Sequence, residues 1–111
     1  MTVDELIIAT LQTPVGLTVE ESVYTGAGVS YITFDYYTRP AEFYDNNPAH
    51  EIYRVAVHLV APPRTNLATK RAQIKTLMFA AGFTFPEEVN ASSKAEKHYI
   101  YECEYLGVSG V

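Results

Sequence analysis

The apolar positions of this chain change period several times, and each change marks an element. Thr2-Val3-Asp4-Glu5 has the spacing of a capping box, in which the Thr hydroxyl and the Glu carboxylate satisfy each other's end of a first helical turn. Leu6, Ile7, Ala9, Thr10 and Leu11 continue as an apolar stripe. Thr13-Pro14 and Gly16 are expected to end this short helix, because a residue before proline is pushed out of the helical region. Residues 17–24 mix β-branched side chains with Glu20 and Glu21, and Thr25-Gly26-Ala27-Gly28 supplies glycines for a reversal before Val29. Two antiparallel strands joined by a hairpin are therefore expected. In residues 30–37 the period is two: Ile32, Phe34 and Tyr36 share one face, and Tyr31, Thr33 and Asp35 the other.

Residues 38–49 break the alternation with Arg39-Pro40, Asp45, Asn46, Asn47 and Pro48 around Phe43 and Tyr44, the composition of a loop carrying two aromatic anchors. Residues 51–60 alternate again, with Tyr53, Val55, Val57 and Leu59 on one side and Ile52, Arg54, Ala56 and His58 on the other, so one face is core. Ala61-Pro62-Pro63-Arg64 stops that strand. Thr65 or Asn66 can cap a second helix with Leu67, Ile74, Leu77, Met78 and Ala81 on its apolar stripe and Lys70, Arg71 and Lys75 on its polar face. Gly82 can take a left-handed C-terminal position with Phe83 folding back on the last turn. A short strand is expected within residues 84–89. The last strand, residues 97–106, puts Tyr99, Tyr101, Cys103 and Tyr105 inward and His98, Ile100, Glu102 and Glu104 outward. The order α-β-β-β-α-β-β predicts one α+β domain over residues 1–111, with two helices on one side of a mainly antiparallel sheet.

Composition narrows the classes. A 111-residue chain typically buries roughly two thirds of the surface its unfolded form exposes, enough for a core without a structural cofactor. Its one Cys excludes an internal disulfide and a zinc site of the usual cysteine-paired kind. The net charge of -5 argues against a grip on nucleic acid. The apolar runs are too short to span a bilayer, and Asp4 and Glu5 stand where a signal peptide would be basic, so neither a membrane partner nor export is expected. Charge is nevertheless uneven: residues 1–60 carry net -6, residues 61–98 net +3 and the tail net -2, so an acidic and a basic face could dock on copies or a partner.

Candidate chemistry is sparse. His50, His58 and His98 lack the spacing of a metal or catalytic motif, although a sheet that pairs their strands could gather His58, His98 and Glu102. Cys103 sits among inward tyrosines and is expected to be buried. The Gly26 and Gly28 turn lacks the Lys-Ser/Thr ending of a phosphate loop. Asp35, Glu102 and Glu104 could form an acidic sheet face. No catalytic, metal or cofactor residue is expected.

The strings Tyr31-Ile32-Thr33-Phe34-Asp35-Tyr36-Tyr37, then Pro40, Phe43, Asp45-Asn46 and Pro48, then Tyr53-Arg54-Val55-Ala56-Val57-His58-Leu59 carry a resemblance, as do Ala80-Ala81-Gly82-Phe83 and His98-Tyr99-Ile100-Tyr101-Glu102-Cys103-Glu104-Tyr105. Together they resemble the small tail-completion (tail terminator) proteins of long-tailed phages and Gram-positive prophages, from about Asp4 to Leu106. The resemblance implies a structural virion protein, not an enzyme. Such a protein forms a ring, commonly a hexamer, at the head-proximal end of the tail tube, stops tube polymerisation and joins the head connector. It implies as partners further copies of the chain, the tail-tube protein and the connector protein, a place in the virion tail, and assembly in the host cytoplasm. Arg39, Phe43, Tyr44 and Asp45 of the loop and Lys70, Arg71 and Lys75 of the helix are then the candidate subunit or tube contacts, and Asp35, Glu102 and Glu104 the candidate channel face. Another head-tail joining component is the nearest alternative. A small α+β enzyme or ligand-binding module using His58, His98 and Glu102, or a nucleic-acid-binding domain centred on the basic helix, are alternatives from other classes.

Overall fold

Thr2 and Glu5 form the capping box: the Glu5 N–H donates to the Thr2 hydroxyl and the Thr2 N–H to the Glu5 carboxylate, and helix α1 runs Val3–Leu11 behind them. The structure, a computed structural model, describes residues 2–21, 30–40 and 50–108. Pro14 does not end the helical path as expected. The chain widens into a π-helical turn, Gln12–Gly16, that leaves by way of Gly16 at φ +80°. A wider turn accommodates a proline because the bonding pattern that the ring disrupts is already altered there.

Strands β1 (Val19–Glu21), β2 (Tyr31–Pro40), β3 (His50–Ala61), β4 (Glu87–Asn90) and β5 (Lys97–Val108) form one sheet in the order β1-β2-β3-β5-β4, and helix α2 (Ala68–Ala80) crosses between β3 and β4. β2, β3, β5 and β4 pair antiparallel, which gives the expected α+β architecture and element order. β1 departs from the expected hairpin: it runs parallel to β2, with Val19 beside Ile32 and Glu21 beside Phe34. The first strand is only three residues long, so residues 22–30 easily span its roughly 10 Å return path. Its direction follows from the anchors at its start, where the Val19 N–H reaches the Gln12 side chain, the Ile32 N–H reaches the Thr18 carbonyl and Val19 enters the core. The expected glycine reversal at Thr25–Gly28 lies outside the described residues.

The inward faces agree with the alternation. Val3, Ile7 and Leu11 of α1 and Ile74 and Met78 of α2 join Ile32, Phe34, Val55, Val57, Leu59, Tyr101 and Cys103 in one core, so both helices cover the same side of the sheet. Leu67, not Thr65 or Asn66, holds the N-cap position of α2 and no side chain caps it, while Asn66 just before it accepts from the Ala68 N–H. At the other end Gly82, at φ +107°, lets its own N–H reach the Phe79 carbonyl and the Phe83 N–H the Met78 carbonyl. Phe83 is thereby folded into the core.

The three long strands outrun the rest of the sheet. β1 accompanies β2 only to Phe34, and β4 reaches along β5 to Glu102, so a three-stranded ribbon continues past them and the molecule measures 53 × 25 × 24 Å. β2 extends through Thr38, Arg39 and Pro40, which the sequence assigned to a loop. The proline is tolerated because Pro40 pairs with Glu51 on one side and has no described neighbour on the other. At its root the ribbon is fastened by tyrosines. Tyr36 and Tyr53 stack edge to face at 5.7 Å, Tyr105 lies against Phe83 at 4.9 Å, and the Tyr36 hydroxyl donates to Asp4 of α1. That carboxylate and burial push the Tyr36 hydroxyl up to about 12.

Candidate functional site: the open sheet face

No described element covers the side of the sheet opposite the helices. Register places Thr33, Asp35, Tyr37 and Arg39 of β2 there, with Arg54, Ala56, His58 and Val60 of β3 and His98, Ile100, Glu102, Glu104 and Leu106 of β5. Tyr37 and Leu106 are 61% and 62% exposed near the free end of the ribbon. Two charged groups divide this face. Glu104 lies between Arg54 at 3.1 Å and Arg39 at 3.5 Å. Nearer the root, His58 Nδ1 and His98 Nε2 are 2.9 Å apart, with Asp35 at 3.6 Å from His58 Nε2 and Glu96 at 3.9 Å from His98 Nδ1. Thr33 and Val60, the cross-strand partners of His58 and His98, are buried, so each imidazole has a buried neighbour beside it. Burial and the neighbouring His58 hold the His98 ring below the usual imidazole range, partly countered by Glu96.

The expected convergence of His58 and His98 is present, but its carboxylates are Asp35 and Glu96. Glu102 stands opposite Ala56 and Glu87 instead. The reason is register: His58 and His98 are diagonal neighbours across β3 and β5, and Glu102 lies farther along β5 towards the ribbon's end. Asp35, Glu102 and Glu104 do not make a uniform acidic face either, since Asp35 faces an imidazole and Glu104 faces two guanidinium groups. Among the described residues no three His, Cys, Asp or Glu side chains converge as a metal site. No helix among them is long and apolar enough to cross a membrane.

The basic helix face is largely turned onto its own molecule. Lys70 donates to the Val15 carbonyl. Arg71 forks onto Glu88 of β4 at 2.7 and 3.0 Å and lies 4.1 Å over the Tyr99 ring. Glu88 also accepts from the Tyr101 hydroxyl at 2.7 Å. Arg71 first, with help from Tyr101 and Lys75, holds the Glu88 carboxyl down at about 2, while burial and Glu88 push the Tyr101 hydroxyl up. Lys70 and Arg71 thus do not form the outward basic patch expected of them, because bonds inside the fold occupy both. Cys103 is buried as expected, and burial pushes its thiol up to about 12. Phe43, Tyr44 and Asp45 lie outside the described residues.

Two features of the helical side escaped the sequence reading. Phe79 and Phe85 are 59% and 60% exposed and stack edge to face at 5.7 Å. Beside the π-helical turn, an open groove of about 460 Å³ is lined by Pro14, Thr69, Ala72, Gln73, Thr76 and Leu77, with no titratable side chain among them. The signal for the first was present: Phe79 falls off the apolar stripe of α2, so its ring had to face outward.

No family model and no curated protein matches the chain. Among solved structures, one chain of 12% identity superposes with a TM-score of 0.59, covering 98% of this chain and 89% of its own length. At that identity the likeness establishes the fold alone.

Proposed function

We propose that the protein is a structural ring subunit of a long-tailed phage tail, a tail terminator that caps the tube and presents the surface for the head connector. The observation that carries this reading is the ribbon. A small domain whose described groove holds no titratable group extends three strands past its helices, with Tyr37 and Leu106 exposed on the extension. Residues 41–49, with Phe43 and Tyr44, join β2 to β3 at that end. Apolar side chains presented this way bind other proteins more readily than small molecules.

A head-to-tail ring needs two different complementary patches on each subunit. With Lys70 and Arg71 engaged internally, the pair we assign is the ribbon's end and the Phe79-Phe85 surface of the helical side, in place of an acidic half meeting a basic helix. The net charge of -5 suits a channel that DNA traverses without sticking.

The experiment is negative-stain microscopy of the purified chain, alone at high concentration and mixed with its tail-tube protein. Rings, or caps at one end of tubes of limited length, are the expected result. A chain with both Phe43→Ala and Tyr44→Ala should remain folded and lose capping. Persistent monomers that neither cap tubes nor limit their length overturn the reading, and full capping by the double variant overturns the role of the loop.

A further inference from the structure

We propose that His58 and His98 form a two-imidazole site for one divalent transition-metal ion of the kind imidazole favours, such as zinc or nickel. The proposal stands apart from the ring reading and rests on the arrangement of four side chains. His58 Nδ1 and His98 Nε2 face each other at 2.9 Å. The outer nitrogen of each ring faces a carboxylate, Asp35 at 3.6 Å for His58 Nε2 and Glu96 at 3.9 Å for His98 Nδ1. A carboxylate beside a neutral imidazole favours the tautomer with hydrogen on that side. Without metal, the 2.9 Å contact between the inner nitrogens is a hydrogen bond whose donor depends on the tautomer. A shared cation would take the place of that single inner hydrogen, with the ring hydrogens on the outer nitrogens that face Asp35 and Glu96.

The spacing also suits a metal. Two nitrogens each about 2.0–2.1 Å from one ion lie roughly 3 Å apart at a right angle and roughly 3.4 Å apart in a tetrahedron. A carboxylate behind a ligating histidine is the usual outer-shell partner that fixes the ring and raises its basicity. The neighbouring positions favour the site as well: the buried Thr33 and Val60 flank the two rings, while the uncovered side of the sheet leaves room for water to complete the coordination. Asp35 and Glu96 supply negative charge that offsets the ion. With two protein ligands the affinity falls in the micromolar range, well short of a closed structural site.

The test is titration calorimetry of zinc sulfate into the whole chain, freed of metal, near pH 7.5. One ion should bind per chain with a micromolar dissociation constant. His58→Gln and His98→Gln should each lose binding by at least about tenfold, and Asp35→Asn should weaken it about tenfold. His50→Gln, at the start of β3, should bind as the native chain does. Each variant should melt with the native chain in EDTA, since both rings are partly exposed. Histidine nitrogen spectra should show His58 shifting at Nδ1 and His98 at Nε2 on adding zinc. Zinc affinity unchanged by both histidine substitutions, or no binding at millimolar zinc, overturns the proposal.

Discussion

Glu88 is held by Arg71 through two hydrogen bonds and by the Tyr101 hydroxyl through a third, and its carboxyl titrates at about 2. A carboxylate whose pKa falls on folding adds stability that is fully present above its ordinary value near 4.5 and is lost as pH falls towards 2. Glu88→Gln is expected to cost about 1–2 kcal/mol at pH 7. Urea midpoints should also show a smaller loss for the variant than for the native chain between pH 5 and pH 2.5. Cys103, buried and titrating at about 12, is expected to react with a thiol reagent at pH 8 only at the rate of unfolding, and a fast reaction in the folded protein would contradict its placement. The burial of Cys103 could be read from its alternation with Tyr101 and Tyr105. The partner of Arg71 could not, because the helical pattern says which way a side chain points but not which strand it meets.

At the scale of elements, the capping box and the glycine end of α2 formed as written, whereas the proline stop of α1 and the hairpin direction of β1 did not. The capping box and the glycine-terminated helix each close within a few residues, so their physics is contained in the string itself. Gly82 and Gly16 both have positive φ, but an added Cβ at Gly82 meets the Tyr105 ring at 3.4 Å while one at Gly16 meets nothing within 4 Å. Gly82→Ala is therefore expected to destabilise more, by about 1–2 kcal/mol against about 1 for Gly16→Ala, as thermal melts of the two variants would measure. The direction of β1 was illegible because glycines permit a reversal without requiring one. A three-residue strand takes its direction from the anchors at Gln12, Thr18 and the core.

Over the whole molecule, the packed and the exposed large side chains of the ribbon lie on different faces. The inner tyrosines Tyr36, Tyr53 and Tyr105 fasten the ribbon to the helices, whereas Tyr37 and Leu106 on its outer face stand exposed. Tyr37→Ser with Leu106→Ser should change stability by no more than about 0.5 kcal/mol per site, since exposed positions contribute little, while lowering ring formation or tube capping. Denaturant melts paired with microscopy check both halves. A large loss of stability would mean that these side chains pack within the monomer.

The sequence by itself determined the strand faces, the capping box of α1, the glycine end of α2, the inner tyrosine row and the α+β order, because period, capping and turn chemistry act over a few residues. Only the tertiary structure decided the parallel edge strand, the capture of Arg71 by Glu88, the separation of Glu102 from the histidines and the meeting of His58 with His98 between Asp35 and Glu96. Each of these depends on which strands become neighbours and in what register. A shift of one residue in pairing would turn the side chains of the shifted strand, the histidines and Glu102 among them, to the other face of the sheet.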